Sequence, residues 1–378
     1  MKRISLMWTL AAVITIAYIA TMIFVRVGST TGMQHKLYRQ WQQEYVMQES
    51  GNQAFINTSN DRSNPVALSE GQGYGMYLTA IAGGKGWATQ QNFDDLLNFY
   101  LEHRDVVGEH RDTETYLMQW KLEKNNQTWK SHANSATDGD LYIAYSLHLA
   151  SSSWPGRRSY YQSIERKLID DILAYEYNTE THTLTVGNWA DKQSEYYNLM
   201  RTSDVMPTFF EAFHTLSGDA RWSTVNNAML DRMVNLSDQQ QTGLLPDFAW
   251  VTDTGARPVK GKTVATKFDG DYSSNACRTP MMLASSDDSR AGKVVSKLLK
   301  FFESQETITA GYSLAGNRLN DYTSNSFTAP LTFAANLERF QGYSRLKAYR
   351  QSMLSETLTT TNYYDATLTV MAVMGDNH

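Results

Sequence analysis

The 378-residue sequence predicts an all-α fold, an (α/α)6 barrel of six outer and six inner helices preceded by one N-terminal transmembrane helix. Three observations lead there. Amphipathic stretches alternate strictly with apolar ones along the chain. Each apolar stretch opens on small polar residues of the kind that cap helices. Residues 6–25 form an uncharged run of 20 residues. Helices polar on one face belong outside a core, and helices apolar nearly all round belong inside it. Six alternating pairs therefore wind two concentric rings.

The N-terminal run comes first. At about 1.5 Å per residue it matches the roughly 30 Å of a bilayer's hydrocarbon. Lys2 and Arg3 precede it and Arg26 closes it, and the leading charges favour the cytoplasm for residues 1–5. A signal peptide has a shorter apolar core and a small-x-small cleavage site, which Val27-Gly28-Ser29-Thr30 matches poorly. The expected organisation is a membrane anchor over residues 1–29 and one extracytoplasmic barrel domain over 30–378. Secretion after signal cleavage is the alternative.

Outer helices are expected at residues 35–48, 91–103, 159–175, 221–236, 291–303 and 343–355. In the first of them Leu37, Trp41 and Tyr45 recur at four-residue spacing. Inner helices are expected to start near Glu70, Asp138, Ser203, Asn275, Ser324 and Tyr363. Inner helices that run the same way gather their N-termini at one mouth, and with them Glu70, Asp138, Asp204 and Asp365 at positive dipole ends. Two stretches depart from the rhythm. Residues 181–189 alternate and are rich in β-branched side chains, which predicts a strand or extended loop. Residues 238–267 make a long connection, and connections of that length are commonly functional.

Composition narrows the function. Apolar residues are 42% and charged residues 19% of the chain, which supports a large core and argues against global disorder. A net charge of -5 argues against nucleic acid as a partner. The single cysteine, Cys277, excludes an internal disulfide, and its apolar setting marks core rather than nucleophile. The eight histidines include no pair at metal-ligand spacing on one helix, so no metal is expected. Neither a Gly-x-Ser-x-Gly elbow nor a phosphate-cradling glycine loop is present. Trp120, Trp129, Trp189 and Trp250 fall in loops or near helix ends, where packing and sugar stacking are equally served.

The chemistry concentrates in two stretches of like design. Ser69-Glu70-Gly71-Gln72-Gly73-Tyr74-Gly75-Met76 sets a glutamate among three glycines at a helix start. Those glycines leave space for a backbone or a bulky ligand. Ala136-Thr137-Asp138-Gly139-Asp140 places two aspartates at another start. Both stretches also read as helix N-termini with acidic first turns and nothing more. Two carboxyls flanking one cleft, however, suit glycoside hydrolysis, one as acid and the other as base or nucleophile. Glu70 is the candidate acid, because apolar crowding raises a carboxyl's pKa. Asp138 and Asp140 cannot face the same point. One is expected to contact substrate, and the other to cap or to pair with a cation such as Arg278.

These stretches resemble the two signatures of glycoside hydrolase family 8, the second running on through Ala144-Tyr145-Ser146-Leu147. Tyr116-Leu117-Met118-Gln119-Trp120, Gly243-Leu244-Leu245-Pro246-Asp247 and Asn275-Ala276-Cys277-Arg278-Thr279-Pro280 are similar to further blocks of that family, in order, across residues 35–378. The resemblance implies the same barrel, endo-acting hydrolysis of β-linked glycans (cellulose, lichenan, xylan, chitosan) with inversion, and no metal or organic cofactor. By resemblance Glu70 matches the general acid, Asp138 the aspartate that holds the distorted sugar, Trp120 a stacking residue and Arg278 the arginine beside the base. Tyr74, Asp140, Trp189, Asp271, Tyr272 and Asn275 complete the expected substrate contacts.

Many family members carry an aspartate base where this chain has Asn275, and an amide cannot take the proton. Asp247 is the expected base, ahead of Asp269, Asp271 and Asp204. Family members occur beside exopolysaccharide synthases, so a cell-surface or biofilm β-linked polysaccharide is the expected substrate and a synthase complex an expected partner. An enzyme degrading foreign β-glucan or chitosan and a non-catalytic glycan-binding protein are the alternatives.

Overall fold

The computed structural model describes residues 2–49, 51–126 and 128–375. Outer helices α1 (Lys2–Tyr45), α3 (Gln90–Glu102), α5 (Arg158–Tyr175), α7 (Ala220–Asp238), α9 (Ser289–Glu303) and α11 (Ser344–Ser355) alternate with inner ones. The inner helices are α2 (Ser69–Gly84), α4 (Thr137–Ser153), α6 (Pro207–Ser217), α8 (Thr279–Ala284), α10 (Asn325–Asn336) and α12 (Tyr363–Met374). Each inner helix packs on the next, and α12 returns to α2, which closes the (α/α)6 ring. The outer helices lay one apolar stripe on that ring. In α9 the buried residues Ala291, Val294, Val295, Leu298, Leu299 and Phe302 recur at three- and four-residue steps.

Side-chain bonds fix α1 along α12. Gln34 Nε2 donates to the Val373 carbonyl at 2.6 Å, Trp41 Nε1 to Thr367 Oγ1 at 2.9 Å, and the Tyr45 hydroxyl to the Thr360 carbonyl at 2.9 Å. Tyr45 thus lies level with the start of α12 and Gln34 with its end. Residues 6–25 belong to the part of α1 beyond Gln34. Among the described residues no helix is long and apolar enough to cross a membrane. The side chains of residues 1–7, 10, 17, 20 and 23–28 lie outside the description, so the expected span falls partly on residues that are not described.

Local corrections have identifiable causes. The third inner helix begins at Pro207, where a missing N–H costs nothing, and Ser203 sits earlier in a 3-10 turn, Thr202–Asp204. The fourth begins at Thr279 after a 3-10 turn, Ala276–Arg278, with Asn275 just ahead. Residues 181–189 form no strand. Their threonines bond within the loop, Thr181 to Thr183 and Thr185 to the Glu176 carbonyl, and a single bridge joins Tyr177 to Leu184. The strands lie elsewhere, between α1 and α2, in hairpins between α3 and α4, ahead of α6 and in the 238–267 connection. There Phe248–Val251 pairs with Leu199–Arg201 on one side and Ala256–Pro258 on the other.

The closest approach in the ring joins α2 to α4. A Cβ on Gly139 would stand 2.6 Å from the Ser69 carbonyl carbon and 2.7 Å from the Glu70 nitrogen, and one on Gly73 would stand 3.0 Å from the Gly139 carbonyl oxygen. These glycines admit the neighbouring helix, not a ligand, and that contact sets Glu70 beside Asp138. The far half of the barrel instead encloses an apolar cavity of about 390 Å³ lined by Tyr145, Phe209, Met281, Met282 and Phe333 among others, away from the acids.

Candidate active site

The mouth is organised around Arg278. Burial leaves its guanidinium almost no solvent, and five side chains surround it. It donates to the Tyr74 hydroxyl at 2.6 Å, Ser203 Oγ at 2.8 Å, Asn275 Oδ1 at 2.8 Å and Asp138 Oδ2 at 3.3 Å, and it lies 3.1 Å from Glu70 Oε1. A second buried cation, Arg201, meets Asp138 Oδ1 at 2.9 Å and Asp204 at 3.4 Å. The Gly139 N–H also donates to Asp138 Oδ1 at 3.0 Å. Asp138 is therefore held by two guanidiniums and a helix N-terminus, and Glu70 by one guanidinium.

The electrostatics divide these neighbours. Burial raises the Glu70 carboxyl above its ordinary pKa and the Asp138 charge adds to this, against the pull of Arg278. Burial works the same way on Asp138, but Arg201 and Arg278 overcome it and hold that carboxyl below the ordinary range. Glu70 is a quarter exposed, whereas Asp138 is 4% exposed. With Thr58, Gly71, Tyr363 and Tyr364, Glu70 lines a recess of about 220 Å³. A carboxyl raised above its ordinary pKa faces the open side, and one held below it stands behind.

Trp120 is an exposed indole next to the start of α2. It is 40% exposed, and its carbonyl accepts from the Ser69 N–H at 3.0 Å, which ties it to the start of α2. Trp189 is half-buried and meets Tyr196 edge-on at 5.3 Å, and Tyr196 stacks toward Trp250 at 6.3 Å. These three make a second aromatic row on the loops over α4 and the Leu199–Arg201 strand.

Several expected contacts turn out otherwise. Tyr74 is fully buried, and its hydroxyl serves Arg278 instead of a sugar. Asp140 is fully buried and accepts from the Met118 N–H at 2.8 Å, on the side of α4 away from Arg278. Tyr272 is core: its backbone pairs with Tyr312 and its ring packs on Phe302 and Phe327. Asp247, expected as the base, is 2% exposed. It accepts from the N–H groups of Ser273, Asn275 and Ala276 and from Asn275 Nδ2. Burial pushes it up to about 7, but with both oxygens engaged it shapes the turn that carries Asn275. Asp269 likewise organises its own loop through the N–H groups of Val264, Ala265 and Thr266.

Asn275 bridges the two halves of this arrangement, its oxygen on Arg278 and its amide nitrogen on Asp247 at 3.3 Å. An aspartate there would set two carboxylates against each other. Asp271 is half-buried, its carboxyl raised by burial, and it joins the site through its carbonyl, which accepts from the Asp247 N–H. Asp204, burial-raised to about 7, sits beside Arg201. Sequence reasoning missed Arg201. A cation directly preceding a mouth segment rich in acids was the available signal.

A barrel mouth with a proton-retaining glutamate, an arginine-clamped aspartate and an exposed indole is that of a carbohydrate-cleaving enzyme. The chain belongs to the glycosyl hydrolases family 8, whose family model matches residues 11–378. It is 32% identical over 286 residues to a beta-glucanase of Niallia circulans, covering 72% of this chain and 68% of that one. It is 23% identical over 351 residues to an endoglucanase of Escherichia coli (strain K12), covering 90% and 87%. Its structure resembles a beta-1,3-1,4-glucanase from Paenibacillus sp. X4 with a TM-score of 0.80, at 25% identity over 92% of this chain and 91% of that one. The protein is an endoglucanase-type glycoside hydrolase.

Proposed function

We propose that the protein is an endo-acting, inverting hydrolase of a β-linked polysaccharide, bound to the membrane and acting on a cell-surface or biofilm exopolysaccharide. The divergence of the Glu70 and Asp138 environments carries the chemical part of this reading. Glu70 gives its proton to the bridging oxygen as the anomeric C–O bond breaks. Asp138, kept ionised by Arg201 and Arg278, accepts from the hydroxyls of the sugar at the cleavage point, and Trp120 stacks on a neighbouring ring. Glu70 and Asp138 contact the same Arg278 nitrogen, at 3.1 and 3.3 Å. Both Asp138 oxygens meet guanidiniums and its carboxyl is held below the ordinary range, which makes it a poor proton acceptor. Asp138 is therefore not the base. Asn275 orients the water, and Asp271, the half-buried carboxyl of this set, takes its proton.

Relatives named beta-glucanase and endoglucanase support a β-glucan substrate. The uncharged run at residues 6–25 supports a single-pass anchor with the barrel extracytoplasmic. So do the exposed Trp8, Val13, Ile14, Ile16, Ile19 and Met22 of α1. An exopolysaccharide synthase complex is the partner such a placement suits.

The test is release of reducing ends from a panel of β-glycans by the full chain and by Glu70→Gln, with the product anomer followed by NMR. Cleavage by wild type alone, giving the inverted anomer, supports the mechanism. Retained binding without cleavage of any polymer overturns it. Asp271→Asn and Asp204→Asn then identify the base, and membrane fractionation checks the anchor.

A further inference from the structure

Behind the cleft lies a second carboxyl pair that the proposed mechanism does not use. Asp140 and Glu176 are both fully buried. One oxygen of Asp140 accepts from the Met118 N–H at 2.8 Å, and one of Glu176 accepts from the Ser135 hydroxyl at 2.5 Å. The remaining oxygens, Asp140 Oδ2 and Glu176 Oε2, have no donor, although the two carboxyls lie within hydrogen-bonding reach of each other. A buried acceptor left without a donor costs about 1–3 kcal/mol and more when charged, and two adjoining buried carboxylates cannot both ionise. One proton between them removes both penalties.

The pair also joins three segments of the cleft wall. Met118 lies two residues before the exposed Trp120. Ser135 immediately precedes α4, and Asp140 lies two residues past Asp138. Glu176 ends α5, and its carbonyl accepts from the Thr185 N–H at 2.8 Å, while the Ser135 N–H donates to Asn188 Oδ1 at 3.0 Å. That loop carries Trp189. We propose that Asp140 and Glu176 share one proton and act as a positioning pair, setting Trp120 and the Trp189 loop against Asp138 across the cleft.

The titratable groups facing the pair are Asp138 on the same helix, Asp204 from the 3-10 turn and Tyr100 from α3. None of these supplies a positive charge, so the proton is what holds the two carboxyls together. Burial raises both of them, Glu176 to about 7. Loss of the shared proton at alkaline pH sets two anions against each other and loosens the aromatic walls, so KM rises while kcat changes less.

The test is infrared difference spectroscopy on the resting full-length protein, comparing wild type with Asp140→Asn and Glu176→Gln at neutral pH. It is paired with kcat and KM on mixed-linkage β-glucan across pH. The expected spectrum has a protonated-carboxyl C=O band in wild type that is missing from both amide variants. Asp140→Asn supplies an N–H where the proton sat, so it keeps a KM near wild type and loses the alkaline rise. Asp140→Ala raises KM about 10-fold, on the scale of one lost hydrogen bond. No difference in that band between wild type and either variant overturns the proposal, as does equal damage from Asn and Ala at position 140. The spectrum needs neither turnover nor a folded Ala variant. A protein that cleaves no β-glucan but shows the band refutes the catalytic reading and leaves the pair standing.

Discussion

Glu70 and Asp138 open neighbouring inner helices on the same plan, a carboxyl in the first turn next to a glycine, yet they finish as chemical opposites. Both feel a helix dipole and both lose solvent. The difference lies in Arg201, which reaches Asp138 and leaves Glu70 to share Arg278. Two cations in direct contact outweigh burial at Asp138, whereas at Glu70 contact with Arg278 and the more distant pull of Arg201 do not. A local motif thus places a carboxyl at the mouth, and residues from elsewhere in the chain decide whether it is an acid or an anion.

Amide substitution separates the two most sharply. Asp138→Asn removes the anion between two buried guanidiniums and should cost about 3–5 kcal/mol of stability together with activity. Glu70→Gln replaces a carboxyl that burial already pushes toward its neutral form, so it should cost less stability than Asp138→Asn while kcat falls about 10²–10⁴-fold. Denaturant melts and steady-state rates on both variants check this. Equal destabilisation by the two would erase the distinction. Gly139→Ala comes next, since its Cβ meets the Ser69 and Glu70 backbone. It should cost about 1–3 kcal/mol and lower kcat by moving Glu70 away from Asp138, read from melts and rates together.

The pH dependence of stability follows in size. Asp204, Glu176 and Asp247 hold protons up to about 7, where the unfolded chain releases them at 3.8–4.5. The folded state binds more protons across that window, so stability falls as pH rises through it. Asp138, with its depressed value, contributes the reverse, a loss as pH drops below the ordinary aspartate value of 3.8. Thermal melts at stepped pH should be highest near the ordinary carboxylate range, about pH 4–5, and decline toward neutrality, and a maximum at or above neutrality would contradict these assignments. Trp120→Ala should have the smallest effect, a KM raised about threefold to tenfold from one lost stacking contact, with the melting temperature unmoved.

The ring of helices was legible because burial imposes a period on the sequence, and α9 shows it without interruption. The starts of α6 and α8 were placed a few residues early, since a 3-10 turn and a cap look alike until the proline that begins the true helix is given its weight. The glycines of the two signatures were rightly read as sites of close approach. What approaches Gly73 and Gly139, however, is the partner helix, and what approaches Gly71 and Gly75 is Thr58 and Ile56, which only the packing reveals. The fates of Tyr74, Asp140 and Tyr272 were not legible. Tyr74 is claimed by an arginine 204 residues away and Asp140 by the Met118 N–H, while Tyr272 is taken into the core by the rings of Phe302 and Phe327, and no local pattern encodes such meetings. Asp247 was found as a motif residue, but that its oxygens are taken up by the turn carrying Asn275 was not legible, because a carboxylate that organises a turn and one that activates water share the same surroundings in sequence.

The unbroken course of α1 has a consequence for reach. The helix meets the mouth at Tyr45 and passes the opposite end of the barrel at Gln34, so residues 6–25 project from the face turned away from Glu70. In the proposed anchoring, with those residues in lipid, the catalytic opening would look outward, about 30 Å beyond Val25 by the rise of the intervening 20 residues. An enzyme mounted this way acts as a shear on a post. It severs strands that have already risen clear of the surface and passes over whatever lies flat against it.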